Sequence, residues 1–344
     1  MFCRRIHHLA SPGRVAGPLG KVLLGISLLG SAALTACGAQ TASVPPSTPA
    51  GSTAPGSTER RPREPLPADI VAKSALPLHA LVAGERLAEP ELWDRMSSYR
   101  AVCLGEQHDS PQHHFAQRRS IEELARRNAG KQRPFALGFE MFQTPYQPAL
   151  TRFVSGAASE AEFLEESRYA ERWGFDFALY RPLLEAAREQ HLPALTLNAP
   201  RELTRKISRN GLSSLEPSES GQLPELDLAN PEHRAYFDAA MSGHPMPEGA
   251  PRMDDMYAVQ VVWDETMSET AARWLKTDGL NGQIVVFAGS GHCHRSAIPA
   301  RLGRRLGEPV LSVSAVVASK LGEFEDKERY DWLLVLDDTA APAP

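Results

Sequence analysis

The 344-residue chain reads as an α/β protein: a mostly parallel sheet flanked by helices, with a helical insertion over the carboxyl ends of the strands. Three observations predict this. Several short segments are continuous apolar runs, the pattern of strands covered on both faces. Helical stretches separate most of them, the alternation of a layered parallel sheet. Two of the runs stop at a glycine and present a histidine three residues later, in Gly105-Glu106-Gln107-His108 and Gly289-Ser290-Gly291-His292. Loops at the carboxyl ends of parallel strands converge on one crevice, so His108 and His292 can meet although they are distant in sequence.

Residues 1–36 read as a signal peptide outside the fold. Arg4, Arg5, Arg14 and Lys21 precede the apolar stretch Val22 to Leu34, which is too short to span a bilayer comfortably. The stretch runs into Leu34-Thr35-Ala36-Cys37, a lipobox pattern in which Cys37 is acylated and becomes the first residue. An ordinary secretory signal that happens to contain a cysteine is the competing reading. The expected location is a membrane-anchored lipoprotein, periplasmic or at the cell surface, with the outer membrane favoured. Acyl chains would hold Cys37 in the bilayer without a spanning helix. Residues 37–67 follow as a tether, rich in Pro, Ser, Thr and Ala and without apolar periodicity.

The globular domain is expected over 68–337, with a flexible tail at 338–344. Its strands are read at about 99–104, 134–140, 193–198, 283–289, 309–316 and 331–337. After the first strand, Asp109 or Ser110 can cap a helix that Pro111 opens. On that helix His113, His114 and Gln117 share the side of the apolar stripe Ile121, Leu124 and Ala125. Strands two and three end in polar groups, Glu140 in one case and Asn198 with Arg201 in the other. The segment 145–190 is helical. The segment 201–277 is read as the helical insertion, because so long a stretch without strands suggests a cover over the crevice. On its last helix, about 252–276, Gln260 and Asp264 fall within an apolar face, while Glu265 is expected to point toward solvent. A buried carboxylate is costly unless paired or bound.

Composition excludes some partners. Lys plus Arg total 37 against 42 Asp plus Glu, a formal charge of −5, and no basic stripe stands out, so nucleic acid is not an expected partner. Among the four cysteines, Cys103 and Cys293 flank the two histidine motifs. A periplasmic setting would allow them to pair. Because Cys103 lies inside an apolar strand, it is read instead as a small buried hydrophobe.

Leu104 to Gln117 resembles the opening motif of the ChaN-like haem-binding uptake lipoproteins. Gly138 to Phe142, Asn198 to Arg201, Gln260 to Asp264 and Ala288 to His292 resemble further blocks in the same order. The wider group holds the Tiki-type metalloproteases, the TraB proteins and the erythromycin esterase-like proteins. The resemblance implies a membrane-anchored α/β domain that binds haem for iron uptake. It implies that Glu106, His108, Glu140, Arg201, Asp264 and His292 form a shared polar centre. Tyr146, Tyr236, His244 and Tyr257 have the chemistry of haem ligands. Haem, the bilayer, an outer-membrane receptor and a homodimer are the implied partners. A hydrolase is the alternative. His108, His292, Glu106 and Asp264 could hold a divalent metal that activates water, or a histidine flanked by carboxylates could act as general base with Arg201 at an oxyanion.

Overall fold

Residues 78–242 and 249–338 are described by the computed structural model. The signal peptide, Cys37, the tether and His244 lie outside the described residues. The elements in chain order are β1 (Leu78–Val82), β2 (Glu85–Ala88), α1 (Glu89–Met96), β3 (Ala101–Glu106), α2 (Pro111–Gly130), β4 (Phe135–Gln143), α3 (Gln147–Val154), α4 (Glu160–Glu166), α5 (Tyr169–Arg172), α6 (Arg181–Glu189) and β5 (Ala194–Asn198). They continue with α7 (Arg201–Asn210), α8 (Pro217–Ser220), α9 (Pro231–Met241), α10 (Met253–Lys276), β6 (Gln283–Gly289), α11 (Ser290–Cys293), α12 (Ile298–Leu306), β7 (Leu311–Val317) and β8 (Trp332–Leu336).

The strands form one sheet in the order β2-β1-β8-β7-β3-β6-β4-β5. The strands β3 to β8, those read from the sequence, pair in parallel. The hairpin β1–β2 adds an antiparallel edge on β8. Its turn, Ala83-Gly84, has φ of 49° and 85°, the left-handed pair that a two-residue hairpin demands. Sequence reading missed it because its strands are short and partly exposed, with no Asn-Gly or Asp-Gly to mark the turn.

Alternate side chains of each strand feed two cores. Val102, Leu104, Leu137, Phe139, Val285 and Phe287 pack with helices α2, α3 and α6 on one face. Ala101, Cys103, Ala136, Ile284, Val286 and Ala288 pack with α10 and α12 on the other. Both faces are covered, which is why the strand sequences show no polar alternation.

Helix α10 is covered on several sides rather than one. Val259 and Val262 face one small core, Tyr257 and Val261 another, and Met267, Ala271 and Leu275 the sheet. This corrects the reading of Glu265, which is fully buried like its neighbour Asp264. A one-sided helix would have exposed it. Instead Arg301, Arg304 and Arg305 converge on its carboxylate at 3.3, 3.1 and 2.5 Å, and the backbone N–H of Asp227 donates to it at 3.0 Å.

Candidate functional site

Strand order places the site. The chain leaves β3 over the α2 face and leaves β6 over the α12 face, and these two strands are neighbours, Glu106 opposite Gly289. A crevice opens where neighbouring connections part in this way. The two Gly-x-x-His motifs stand on its two sides and interlock. A Cβ on Gly289 would lie 3.0 Å from Cε1 and Nε2 of His108, so the second motif's glycine makes room for the first motif's histidine. A Cβ on Gly105 would meet Ser290 Cα at 3.0 Å and Cys293 Cβ at 3.2 Å, so the first motif's glycine makes room for the second motif's turn. Each glycine is required by close approach rather than by its φ.

Glu106 organises the first half. Its side chain is buried, with Oε1 2.8 Å from His108 Nδ1 and accepting from the Tyr180 hydroxyl at 3.1 Å. Oε2 accepts from Gln117 Nε2 at 2.6 Å and lies 3.3 Å from His114 Nδ1. His114 Nε2 donates to the His108 carbonyl at 3.0 Å. The inward-facing polar start of α2 is therefore the second layer that fixes His108. Ser110 is the residue that caps α2, accepting from His113 N. Burial lowers the His113 pKa to about 4, and its Nδ1 accepts from Gln107 N at 2.9 Å, as a neutral ring can.

The second half is a chain of charges. His292 Nδ1 lies 2.5 Å from Asp264 Oδ1, and its Nε2 lies 3.3 Å from Glu140 Oε1. Burial alone would lower its pKa; Glu140 and Asp264 outweigh that and raise it to about 10. Burial would raise the Glu140 pKa, but His292, His108 and the Gly289 N–H at 2.7 Å hold it near 2. Burial would likewise raise that of Asp264, but His292 and His233 hold it well below the usual carboxylate range. The other Asp264 oxygen is 2.8 Å from His233 Nε2. His233 in turn faces Tyr257 Oη and Arg301 Nη2, each at 3.2 Å. His108 joins through Glu140: burial lowers its pKa, yet Glu106 and Glu140 raise it overall.

The structure thus brings together Glu106, His108, Glu140, Asp264 and His292. Arg201 stands apart, donating to the Glu171 carbonyl from its guanidinium and to Gln143 Oε1 from its backbone. Tyr180, His233 and Arg301 belong to the network and were not picked out from the sequence. Tyr180 lies between helices with nothing local to mark it, and Arg301 is one of several arginines on an amphipathic helix, although it is only 1% exposed.

One expectation needs correction. Cys103 and Cys293 form a disulfide, Cα to Cα 5.3 Å across 190 residues of sequence. The α11 turn folds back over β3 and lays Cys293 beside the strand, so the pairing that their places beside the two histidine motifs allowed is made. The bond ties the residue after His292 to the strand that carries Glu106. As for a divalent metal, no group of three or more His, Cys, Asp or Glu among the described residues is arranged to hold one. Of the four residues read as ligands, Glu106 faces His108 at 2.8 Å and Asp264 faces His292 at 2.5 Å, and their other polar atoms face Gln117, His114, His233 and Glu140. Both ring nitrogens of His292 face carboxylates, those of Asp264 and Glu140.

Residues 92–302 match the family described as haem-binding uptake, Tiki superfamily, ChaN. The chain belongs to this family. Among solved structures, ChaN of Campylobacter jejuni with cofacially bound haem is similar at a TM-score of 0.60 and 15% identity, covering 76% of this chain and 97% of that one. That likeness shows the ChaN fold. The type III effector HopBA1 aligns at a TM-score of 0.39 and 14% identity, covering 72% of this chain and 91% of its own. An erythromycin esterase mutant in its open conformation aligns at 0.39 and 12%, covering 66% and 72%. No curated protein matches the sequence. Of the four haem-ligand candidates of this ChaN chain, Tyr236 and Tyr257 are buried, 7% and 3% exposed. Tyr257 is tied to His233, and the Tyr236 ring lies 4.0 Å from that of His294. Tyr146, at the end of β4, is partly exposed, with the Arg172 guanidinium 5.5 Å from its ring.

Proposed function

We propose that the protein binds haem at the mouth of the crevice, with Tyr146 as the iron ligand. The observation that carries the reading is the partial exposure of Tyr146: alone among the three candidates in the described residues, it offers a hydroxyl that haem can reach without unpacking a core. Its surroundings fit the group. Trp173 and Phe175 are partly exposed, with ring centroids 5.9 Å apart, and both flank His108 at 4.9 Å. They offer flat apolar contact of the kind a porphyrin needs. The Arg172 guanidinium lies 5.5 Å from the Tyr146 ring and adds positive charge beside it. Haem is here a cargo, and the chain's part is to hold the iron and cover one face of the ring.

The polar centre beneath supports this mouth. Glu106 fixes His108 from inside, and His108 carries the two aromatic rings on its outer side. The rest of the reading follows from the lipobox, the family and the disulfide: acylation at Cys37, a periplasmic or surface location, a role in iron uptake, an outer-membrane receptor and a homodimer. A disulfide persists in an oxidising compartment and is rare in the cytosol. Among the described residues no helix is long and apolar enough to cross a membrane; in this reading acyl chains on Cys37 provide an anchor.

The test is a titration of the full-length acylated protein in detergent with haemin. A saturable Soret shift is expected, with its spectrum changed in Tyr146→Phe and unchanged in Tyr257→Phe. No saturable shift would reject haem binding; an identical spectrum in Tyr146→Phe would reject only the ligand.

A further inference from the structure

Arg172, whose guanidinium lies 5.5 Å from the Tyr146 ring, carries a hydrogen-bond donor that the fold does not satisfy. The Tyr169 hydroxyl and Arg172 Nε, three residues apart on α5, are both buried without a partner. Buried polar groups are nearly always paired, so each orphan needs an explanation. The Arg172 side chain is only 9% exposed; its Nη1 is 2.6 Å from Glu202 and 3.5 Å from Gln143 Oε1. Arg168, which precedes α5, holds φ at 52°, a strained value for a residue with a side chain, and interacts with the Tyr146 hydroxyl.

The first two turns of α7 add positive charge to the same place. Its N-cap is Pro200, which supplies no capping side chain. Burial, then the like charges of Arg205 and Arg172, lower the Arg201 pKa. Arg205 is exposed and makes no ion pair among the described residues. The one carboxylate within this group of guanidiniums, besides Glu171 on α5, is Glu202, which accepts from its own backbone N–H and is 68% exposed. Glu202 sits where an incoming anion would be stabilised by the helix end.

We infer that α5 and the first two turns of α7 form a seat for the free carboxylates of the porphyrin, with Arg172 and Arg205 as its cations and Glu202 as the carboxylate it displaces. The inference rests on the haem reading and adds to it which part of the molecule recognises the propionates. Arg205 would donate a charge-assisted hydrogen bond. Arg172 would exchange Glu202 for a ligand oxygen at Nη1. Arg201 stays with the Glu171 carbonyl and contributes its charge only.

The experiment compares haemin with haemin dimethyl ester, which keeps the iron and the ring and lacks the free carboxylates. Both are titrated into the full-length protein in detergent, as wild type, Arg205→Gln and Glu202→Gln, with thermal melts to show that the variants are folded. Wild type should prefer haemin. Arg205→Gln should weaken haemin on the order of tenfold, the equivalent of one charged hydrogen bond, and leave the ester unchanged. Glu202→Gln should tighten haemin, because it removes the competing carboxylate. Equal affinity of wild type for haemin and its ester, with a saturable Soret shift for both, would overturn the seat and leave haem binding intact. An equal loss for both porphyrins in Arg205→Gln would also overturn it, since such a loss is blind to the carboxylates. If neither porphyrin gives a saturable shift, the haem reading and the seat fall together.

Discussion

Replacing Cys103 and Cys293 together by alanine opens a cross-link that spans 190 residues. In the chain-entropy account, closing a loop of that length costs the unfolded state about 5 kcal/mol, all of which the double variant regains on unfolding. The two lost sulfur atoms come from positions with no exposure, and each small cavity adds about 1 kcal/mol. The sum is about 7 kcal/mol, and for a domain of this size each kcal/mol corresponds to about 2–4 °C, so the melting temperature should fall by roughly 14–28 °C. The assay is thermal unfolding followed by circular dichroism, on wild type and double variant, each with and without a strong phosphine reductant. Reductant should lower the wild-type transition toward that of the variant and leave the variant where it is. A local effect should accompany the global one. Cys293 follows His292, so loss of the bond should loosen the His292 contacts to Glu140 and Asp264 and bring its imidazole pKa down from about 10 in an NMR titration. If the double variant melts within a few degrees of wild type and reductant changes neither, then the bond does not restrain the unfolded chain and the entropic reasoning is wrong for this protein.

Stability should peak near pH 6.5. His292, raised to about 10, contributes stability that is complete below 6.5 and is lost as the pH climbs toward 10. On the acid side, His113 and His294 are buried with pKa values lowered to about 4 and 3, so stability falls below 6.5, and Glu140, lowered to about 2, extends the loss below its usual 4.5. Urea midpoints measured from pH 3 to 10 check this, and a flat profile above 6.5 would contradict the assignment of charge to His292. Gly289→Ala should cost about 1–3 kcal/mol in urea unfolding, because its methyl would press on the His108 ring at 3.0 Å; a neutral result would mean that the ring has room to move. Asp264→Asn should destabilise by about 3–5 kcal/mol, since it leaves the His292 and His233 side of a buried charge pair uncompensated; a loss under 1 kcal/mol would show the pair to be dispensable.

Local chemistry was enough to announce the sheet. Apolar runs such as Ala101 to Leu104 and Ile284 to Ala288 can be satisfied only by burial on both faces, and a glycine at the end of each marks where the backbone must come close to something. The polar start of α2 was equally legible, because His113, His114 and Gln117 share one helical face with Ile121 and Leu124 and so had to go inside. The same periodicity failed for Glu265. It assumes one buried side per helix, and α10 has neighbours on several.

By itself, then, the sequence pointed to the layered α/β class, the six parallel strands and the lipobox expectation, and through the family resemblance to a polar centre of six residues, of which the fold brings five together and leaves Arg201 apart. Each of these follows from short-range patterns: which side chains cannot be left in water, and which turn residues the backbone needs. Only the tertiary structure decided that β6 lies between β3 and β4, and from that single insertion come the switch point, the interlocked glycines and the bond between Cys103 and Cys293. It also decided that Tyr146 is reachable while Tyr236 and Tyr257 are not, and that Arg201 serves a different neighbourhood from His292. Burial, pairing and strand order depend on contacts between residues far apart in the chain, and no local pattern carries them.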